Sequence, residues 1–287
     1  MEEEIIISGR MNAKVDPLLH IWGWEIAFYL FVGGLAAGIL FFASFYYLRG
    51  KEKDYPATVK WAPLIAPFIL VLGLGALFLD LHHKLYFWRL YTTVRLQSPM
   101  SWGAWTLLVI TPLSVLWVAT YIRELFPKWD WKFQWLYNLE SFLISNRRVL
   151  AWVMVFYSVI LGIYTGILLS AFNARPLWNT SILGPLFLAS GLSAGAAVIM
   201  AFSKNKLERR HFSQLDLVII GVELFFIIHL FMGLLASTEV QIEAAEMFLG
   251  GQYTLPFWIF VVFIGMILPA MLELLELRGQ KIPVLIQ

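Results

Sequence analysis

Seven long apolar runs constrain the fold of this chain more than any other feature of its sequence. Each is long enough to cross about 30 Å of hydrocarbon as a helix. The runs cover residues 24–48, 62–79, 102–122, 149–172, 182–202, 215–237 and 255–275. Lipid offers no hydrogen-bond partner to a free backbone N–H or C=O, so runs this long and uniform must be helical. The sequence therefore predicts an all-α integral membrane protein with a bundle of seven transmembrane helices, eight being the alternative count.

The composition supports a membrane protein and excludes several functions. The chain is 60% hydrophobic and only 14% charged, which is too apolar for a soluble domain. Its net charge of +2 gives no concentrated basic face, so we expect no nucleic-acid partner. There is no cysteine, and the chain therefore lacks the thiolates that hold an iron–sulfur cluster. Any such cluster must belong to a partner.

The distribution of Lys and Arg predicts the orientation. Most of them follow the first, third and fifth runs. These are Arg49, Lys51, Lys53, Lys60, Arg123, Lys128, Lys132, Arg147, Arg148, Lys204, Lys206, Arg209 and Arg210. Because cytoplasmic loops carry the excess of basic residues, the N-terminus is predicted to lie outside and the C-terminus inside. The location implied is the inner (cytoplasmic) membrane of the cell, crossed several times.

Two proline and tryptophan motifs fall on the predicted outer side. They are SPMSWGAW, residues 98–105, and RPLWN, residues 175–179. Proline stops one helix before the next begins, and indole rings favour the headgroup boundary. We expect both motifs to shape the outer rim of the bundle.

An internal repeat is indicated by two similar segments. VGGLAAGILFFASFYYLRGKEK, residues 32–53, and ASGLSAGAAVIMAFSKNKLERR, residues 189–210, align at a constant offset. Both begin with small residues four apart, which allow close helix packing in lipid. The first and fifth runs have the same predicted orientation, so the repeat is parallel. The predicted division is a first bundle over residues 1–175 and a shortened second bundle over residues 176–287.

A few polar groups stand inside apolar runs, where they call for a partner or a role. Glu25, Tyr29 and Gly33 lie four apart and share one helix face, a plausible wall for a flat ring with polar edges. Alternatively, Glu25 simply reaches the membrane interface.

Asp80 precedes His83 by three residues near the same outer surface. A carboxylate and an imidazole at this spacing can pass protons near neutral pH, although an interfacial ion pair explains them equally well. Tyr164 needs a hydrogen-bond partner, which could be another helix. Glu223 and His229, deep in the sixth run, either belong to a proton route or join helices.

Three segments resemble the NrfD family of membrane subunits, which includes the polysulfide reductase membrane subunit. They are WGWEIAFYLFVGGLAAG (22–38), SPMSWGAW (98–105) and YTGILLSAFNARPLWN (164–179), and they occur in the family's order. The resemblance implies a haem-free site for menaquinone or ubiquinone among the first four helices. It also implies a ferredoxin-like partner with [4Fe–4S] clusters and a molybdopterin catalytic subunit. Many members have eight or more spans, so the second half of this chain is predicted to lack one.

Carried over residue by residue, the resemblance assigns the quinone site to Glu25, Tyr29, Asp80 and Tyr164. Gly33 is the notch beside the ring because it shares the helix face of Glu25 and Tyr29. His83 follows from its proximity to Asp80. Glu25, Asp80 and His83 would also transfer protons, with Glu223 and His229 as further candidates.

Three other functions compete with this one. A haem-bearing anchor needs axial ligands inside the bundle, yet of five histidines only His229 is deep, while His20, His82, His83 and His211 lie at ends or in loops. A secondary transporter is supported by the repeat, but this chain has few charged residues inside its apolar runs. A purely structural anchor predicts that Glu25→Gln and Tyr29→Phe leave quinone-linked turnover unchanged.

Overall fold

A computed structural model of the protein describes residues 23–81, 83–172 and 175–279. All regular elements in these ranges are helical, and seven helices are long and apolar enough to cross a membrane. They are α1 (Trp24–Leu48), α2 (Ala57–Asp80), α3 (Pro99–Ala119), α4 (Arg147–Ser170), α5 (Leu183–Phe202), α6 (Lys206–Leu235) and α7 (Pro256–Leu277). The predicted all-α bundle with seven spans is confirmed for this part of the protein. His20 and His82 lie outside the described residues.

Shorter helices occupy the loops. They are Lys84–Tyr86 and Arg89–Thr92 after α2, Ile122–Leu125 and Gln134–Ser145 after α3, and Glu239–Leu249 after α6. In the α3–α4 loop, the buried carboxylate of Glu140 lies 2.7 Å from Arg123 and accepts a hydrogen bond from the Trp131 indole at 3.0 Å. We call the end of the bundle that holds this loop the basic end, because Lys60, Arg123 and Arg147 also lie there.

Helix α2 is irregular at its start because it contains Pro63. It opens as a π-helix over Ala57–Trp61 and a 3₁₀ turn over Ala62–Leu64 before the regular helix Ala66–Asp80. Pro63 has no N–H to offer the carbonyl of Val59 one turn earlier. That carbonyl instead accepts a hydrogen bond from the Trp117 indole of α3 at 3.1 Å. The proline thereby ties α2 to α3.

A buried carboxylate fixes the start of α2. Glu208 of α6, which has no solvent exposure, accepts hydrogen bonds from the Thr58 N–H at 2.8 Å and the Thr58 hydroxyl at 2.7 Å. The Ala57 N–H donates to it at 3.3 Å. A negative group suits the unpaired N–H groups of a helix start. The contact explains why α2 begins five residues before the predicted boundary. Helix α6 begins at Lys206 rather than at 215, and the Asn205 side chain accepts a hydrogen bond from the Leu207 N–H there at 3.0 Å.

Helix α1 is the centre of the bundle and packs against α2, α4 and α5. Its crossing with α5 depends on glycine. A Cβ on Gly191 would lie 2.6 Å from the carbonyl oxygen of Gly34, and one on Gly195 would lie 2.6 Å from the carbonyl carbon of Gly38. The two backbones therefore touch directly, as small residues four apart permit in lipid.

The touching glycines are corresponding members of the predicted repeat, since Gly34 aligns with Gly191 and Gly38 with Gly195. Contact between equivalent residues is what a two-fold relation between two half-bundles would produce. Pro99 and Pro112 of α3 match Pro256 and Pro269 of α7 at the same offset. On this alignment α1–α3 correspond to α5–α7, and α4 has no counterpart among the described residues. The repeat, its division at residue 175 and the sidedness stay predictions.

Candidate functional site

A cavity of about 500 Å³ lies among α1, α2, α3 and α4 at the end of the bundle opposite the basic end. Most of its wall is apolar. The apolar lining consists of Ile26, Val71, Leu74, Leu77, Phe78, Leu81, Phe87, Leu90, Met100, Ala104, Leu107 and Leu168. Val71, Phe78 and Met100 are also exposed on the outside of the bundle. The cavity thus has an apolar rim on the lipid-facing surface.

Four polar side chains line this cavity: Tyr29 of α1, Asp80 at the end of α2, Tyr91 of the α2–α3 loop and Tyr164 of α4. Of the predicted quinone-site residues, the structure brings together Tyr29, Asp80 and Tyr164. They come from three different helices.

Tyr29 presents an unsatisfied donor. Its side chain is 3% exposed, and its hydroxyl has no hydrogen-bond partner among the described residues. A buried hydroxyl without a partner costs about 1–3 kcal/mol, so it is available to a ligand. Gly73 of α2 permits the close approach of α1, since a Cβ there would lie 2.9 Å from Val32. Gly33 is buried one turn beyond Tyr29, and a Cβ there would meet only the Tyr29 ring, at 3.8 Å.

Tyr164 is held in place by a glycine of the SPMSWGAW motif. A Cβ on Gly103 would overlap the phenol ring of Tyr164, so the ring lies directly on the backbone of α3. Both residues line the cavity, and Tyr164 is 8% exposed. Gly103 therefore sets where the Tyr164 phenol stands.

The tryptophans of the same motif position Tyr91. The Trp105 indole donates to the carbonyl of Tyr91 at 3.2 Å, and the Trp102 indole donates to the carbonyl of Leu96 at 2.8 Å. The loop is thereby tied back onto α3. Burial raises the pKa of the Tyr91 phenol, which keeps it a neutral hydrogen-bond donor at physiological pH. The motif thus shapes the cavity as well as the rim.

Glu25 and His83 do not line the cavity. The Glu25 carboxylate folds back over Gly23 at the start of α1. His83 is exposed beyond the end of α2, with its ring against the edge of Tyr86 at 6.4 Å between centroids. In sequence they lie one and two residues from the lining residues Ile26 and Leu81, and their roles stay predictions.

The two candidates in α6 have different surroundings. Glu223 is buried beside Ser190 of α5. His229 is exposed on the side of the bundle and stacks on Phe225 with ring centroids 5.9 Å apart. The structure does not bring them together.

Sequence reasoning missed Tyr91, Gly103 and two buried acids, namely Asp216 close to Glu223 and Glu273 close to Asp216. Tyr91 lies in a loop without periodicity, so no sequence signal placed it at the cavity. Asp216 did carry a signal, because it precedes Glu223 by two helical turns on the same face of α6. The predicted helix begins at residue 215, which places Asp216 at the edge of the apolar run, where a charged residue calls for no explanation.

These features define a class: a helical membrane protein of several spans with a cavity among its first four helices. Phenols and one carboxylate surround an otherwise apolar slot there. Such a cavity suits a flat, lipid-soluble molecule with polar groups at its edge.

Comparison with known proteins supplies the family. A family model described as polysulphide reductase, NrfD, matches residues 11–287, and the protein belongs to this family. It is 30% identical to protein NrfD of Escherichia coli over 92% of its own length and 87% of that protein. It is 32% identical to one of the chains of the polysulfide reductase of Wolinella succinogenes, over 91% of its own length and 85% of that relative. One of the subunits of the tetrathionate reductase of Salmonella typhimurium is 30% identical, over 63% of this protein and 49% of that relative.

Family membership and the seven apolar helices together make this a multi-pass membrane protein. The resemblance found in three sequence motifs is confirmed over nearly the whole sequence.

Proposed function

We propose that this protein is the membrane subunit of a reductase complex and that its lateral cavity binds the head of a quinone or quinol, menaquinone or ubiquinone. The observation that carries the proposal is the cavity lined by Tyr29, Tyr91, Tyr164 and Asp80. Two relatives are by name parts of a polysulfide reductase and of a tetrathionate reductase, which supports the assignment to a complex.

Each cavity residue has a role that its chemistry allows. The phenols of Tyr29, Tyr91 and Tyr164 donate hydrogen bonds to the ring oxygens, and the apolar wall excludes water from the ring. Asp80, half-buried at the end of α2, accepts a proton and passes it to solvent, with His83 three residues further on at the exposed surface. Glu25, at the first turn of α1, is a second carboxylate at the mouth of the site. A bound quinone supplies the two-electron, two-proton redox chemistry.

Electrons require a partner, because this protein has no cysteine to hold a cluster. The partners proposed are a ferredoxin-like subunit with [4Fe–4S] clusters, docked at the cavity end, and a molybdopterin catalytic subunit. The complex would lie in the inner (cytoplasmic) membrane with the basic end in the cytoplasm.

Tyr164→Phe tests the assignment. Loss of one hydrogen bond to the ring, about 1.5 kcal/mol, predicts a fall of about tenfold in kcat/KM for quinol. The measurement is turnover of the purified complex with quinol, compared with turnover supported by a soluble dye that reacts at the catalytic subunit. The dye activity should stay unchanged.

Tyr157→Phe is the matched control, because Tyr157 lies two turns earlier on α4 and packs against the core outside the cavity. Equal quinol kinetics for Tyr164→Phe, Tyr157→Phe and the parent complex would contradict the proposal and favour a purely structural anchor.

A further inference from the structure

Three buried carboxylates lie in the second half of the bundle, away from the cavity. Asp216 and Glu223 are on α6, Glu273 is on α7, and their residues are 3%, 6% and 2% exposed. Asp216 and Glu223 are seven residues apart, so they face the same side of α6 two turns from each other. An ionised carboxylate is costly in hydrocarbon, and three of them demand an explanation.

The carboxyl groups of Asp216 and Glu273 adjoin each other. Two ionised carboxylates in contact repel each other, and a proton shared between them removes the repulsion. The remaining oxygens, Oδ1 of Asp216 and Oε2 of Glu273, are buried and have no hydrogen-bond partner among the described residues. The pair can therefore accommodate one proton, and it retains buried oxygens able to accept a hydrogen bond.

Within the described ranges, the surrounding helices supply no free cation to neutralise the pair. Arg209, on the same face of α6, lies 2.8 Å from Glu276 and forms an ion pair with it. Helix α5 contributes Ser193 beside Asp216 and Ser190 beside Glu223, and it contains no ionisable residue. Helix α1 contacts this part of α6 through Phe42 and Tyr46, which pack on Phe212.

In the part of the protein that the structure describes, polar side chains lead from the pair toward the basic end. Arg209 and Glu276 stand nearest that end, and the Ser213 hydroxyl, one turn from Asp216, donates to Glu276 at 3.4 Å. In the other direction the path reaches Glu223. Beyond it the buried face of α6 is apolar, formed by Ile227, Leu230, Phe231 and Leu234.

We infer that Asp216 and Glu273 form a proton-binding site that exchanges with water at the basic end, with Glu223 as its deepest member. One proton moves from water through the Ser213 and Glu276 region onto the carboxylate pair, and no electron is transferred. The site is independent of the proposed quinone cavity, which lies in the other half of the bundle.

Carbodiimide labelling tests the site in the purified full-length protein, because dicyclohexylcarbodiimide modifies protonated carboxyl groups in apolar surroundings. Mass spectrometry of the digested protein should find the label on Asp216 or Glu273 near neutral pH, with about a tenfold excess over the exposed Glu243. The label should fall as the pH rises, and Asp216→Asn with Glu273→Gln should remove it.

Access is tested in sealed membrane vesicles of both orientations with a water-soluble carbodiimide. Labelling of the pair should require the same orientation as modification of the exposed Lys53 by an impermeant amine reagent, since Lys53 marks the basic end.

Absence of label on both acids of the parent protein would overturn the inference. Protection by sodium chloride but not by choline chloride would also overturn it, in favour of a cation site. Both results come from the parent protein, so they stand even where a variant fails to fold, and neither depends on quinone turnover.

Discussion

Replacing Gly103 with alanine is expected to lower quinol-linked turnover about tenfold or more. A Cβ at position 103 overlaps the ring of Tyr164, so the phenol must leave its place on the cavity wall. The added methyl group and the displaced ring both enter the space proposed for the quinone head. An error of about 1 Å in the position of a binding group costs up to about a hundredfold in rate, so the effect should exceed that of Tyr164→Phe.

Gly75→Ala is the matched control for this experiment. Gly75 lines the same cavity from α2, but a Cβ there meets nothing within 4 Å. Its quinol turnover should stay within about twofold of the parent complex, because no wall residue has to move. Similar losses in both variants would show that filling any part of the cavity matters and that the position of Tyr164 does not. Full activity of Gly103→Ala would contradict the site as described.

A large loss of stability is expected from Gly191→Ala. The new Cβ would lie 2.6 Å from the carbonyl oxygen of Gly34, which is backbone and has no rotamer to yield. Helices α1 and α5 must separate, and every contact along their crossing weakens. Overpacking of this kind costs about 3 kcal/mol, or more where backbone meets backbone.

Unfolding of the purified protein in mixed micelles with increasing SDS measures this loss. Gly221→Ala serves as control, because Gly221 is exposed on α6 and a Cβ there meets nothing within 4 Å. The control should unfold at the same SDS fraction as the parent protein or a slightly higher one, since alanine is the better helix former. Equal stability of Gly191→Ala and Gly221→Ala would show that the α1–α5 crossing is looser than described.

The number and type of the helices could be predicted from the sequence because lipid leaves a long apolar run little choice. Their ends could not, since tertiary contacts fix them. Helix α2 begins at Ala57 because Glu208, about 150 positions away in the sequence, accepts its first N–H groups. Helix α6 begins at Lys206, and Asp216 thereby falls well inside a helix rather than at its edge.

The candidate site was predictable in part, for a related reason. Tyr29, Asp80 and Tyr164 were identified from the motifs and from polarity inside apolar runs, and they meet at one cavity. Periodicity shows which residues share one face of a helix, but it does not show how the helix is rotated relative to its neighbours. The contact between Gly103 and Tyr164 and the pairing of Asp216 with Glu273 depend on that rotation.

We propose that a quinone head lies among α1–α4 against Tyr29, Asp80, Tyr91 and Tyr164. The most direct test of this placement is a cryo-electron microscopy structure of the complex with a bound quinone-site inhibitor. We expect density for a flat ring in this cavity, within hydrogen-bonding distance of the Tyr164 hydroxyl. A complex in which quinol turnover is fully inhibited while the ring lies elsewhere, with this cavity filled by lipid or side chains, would contradict it.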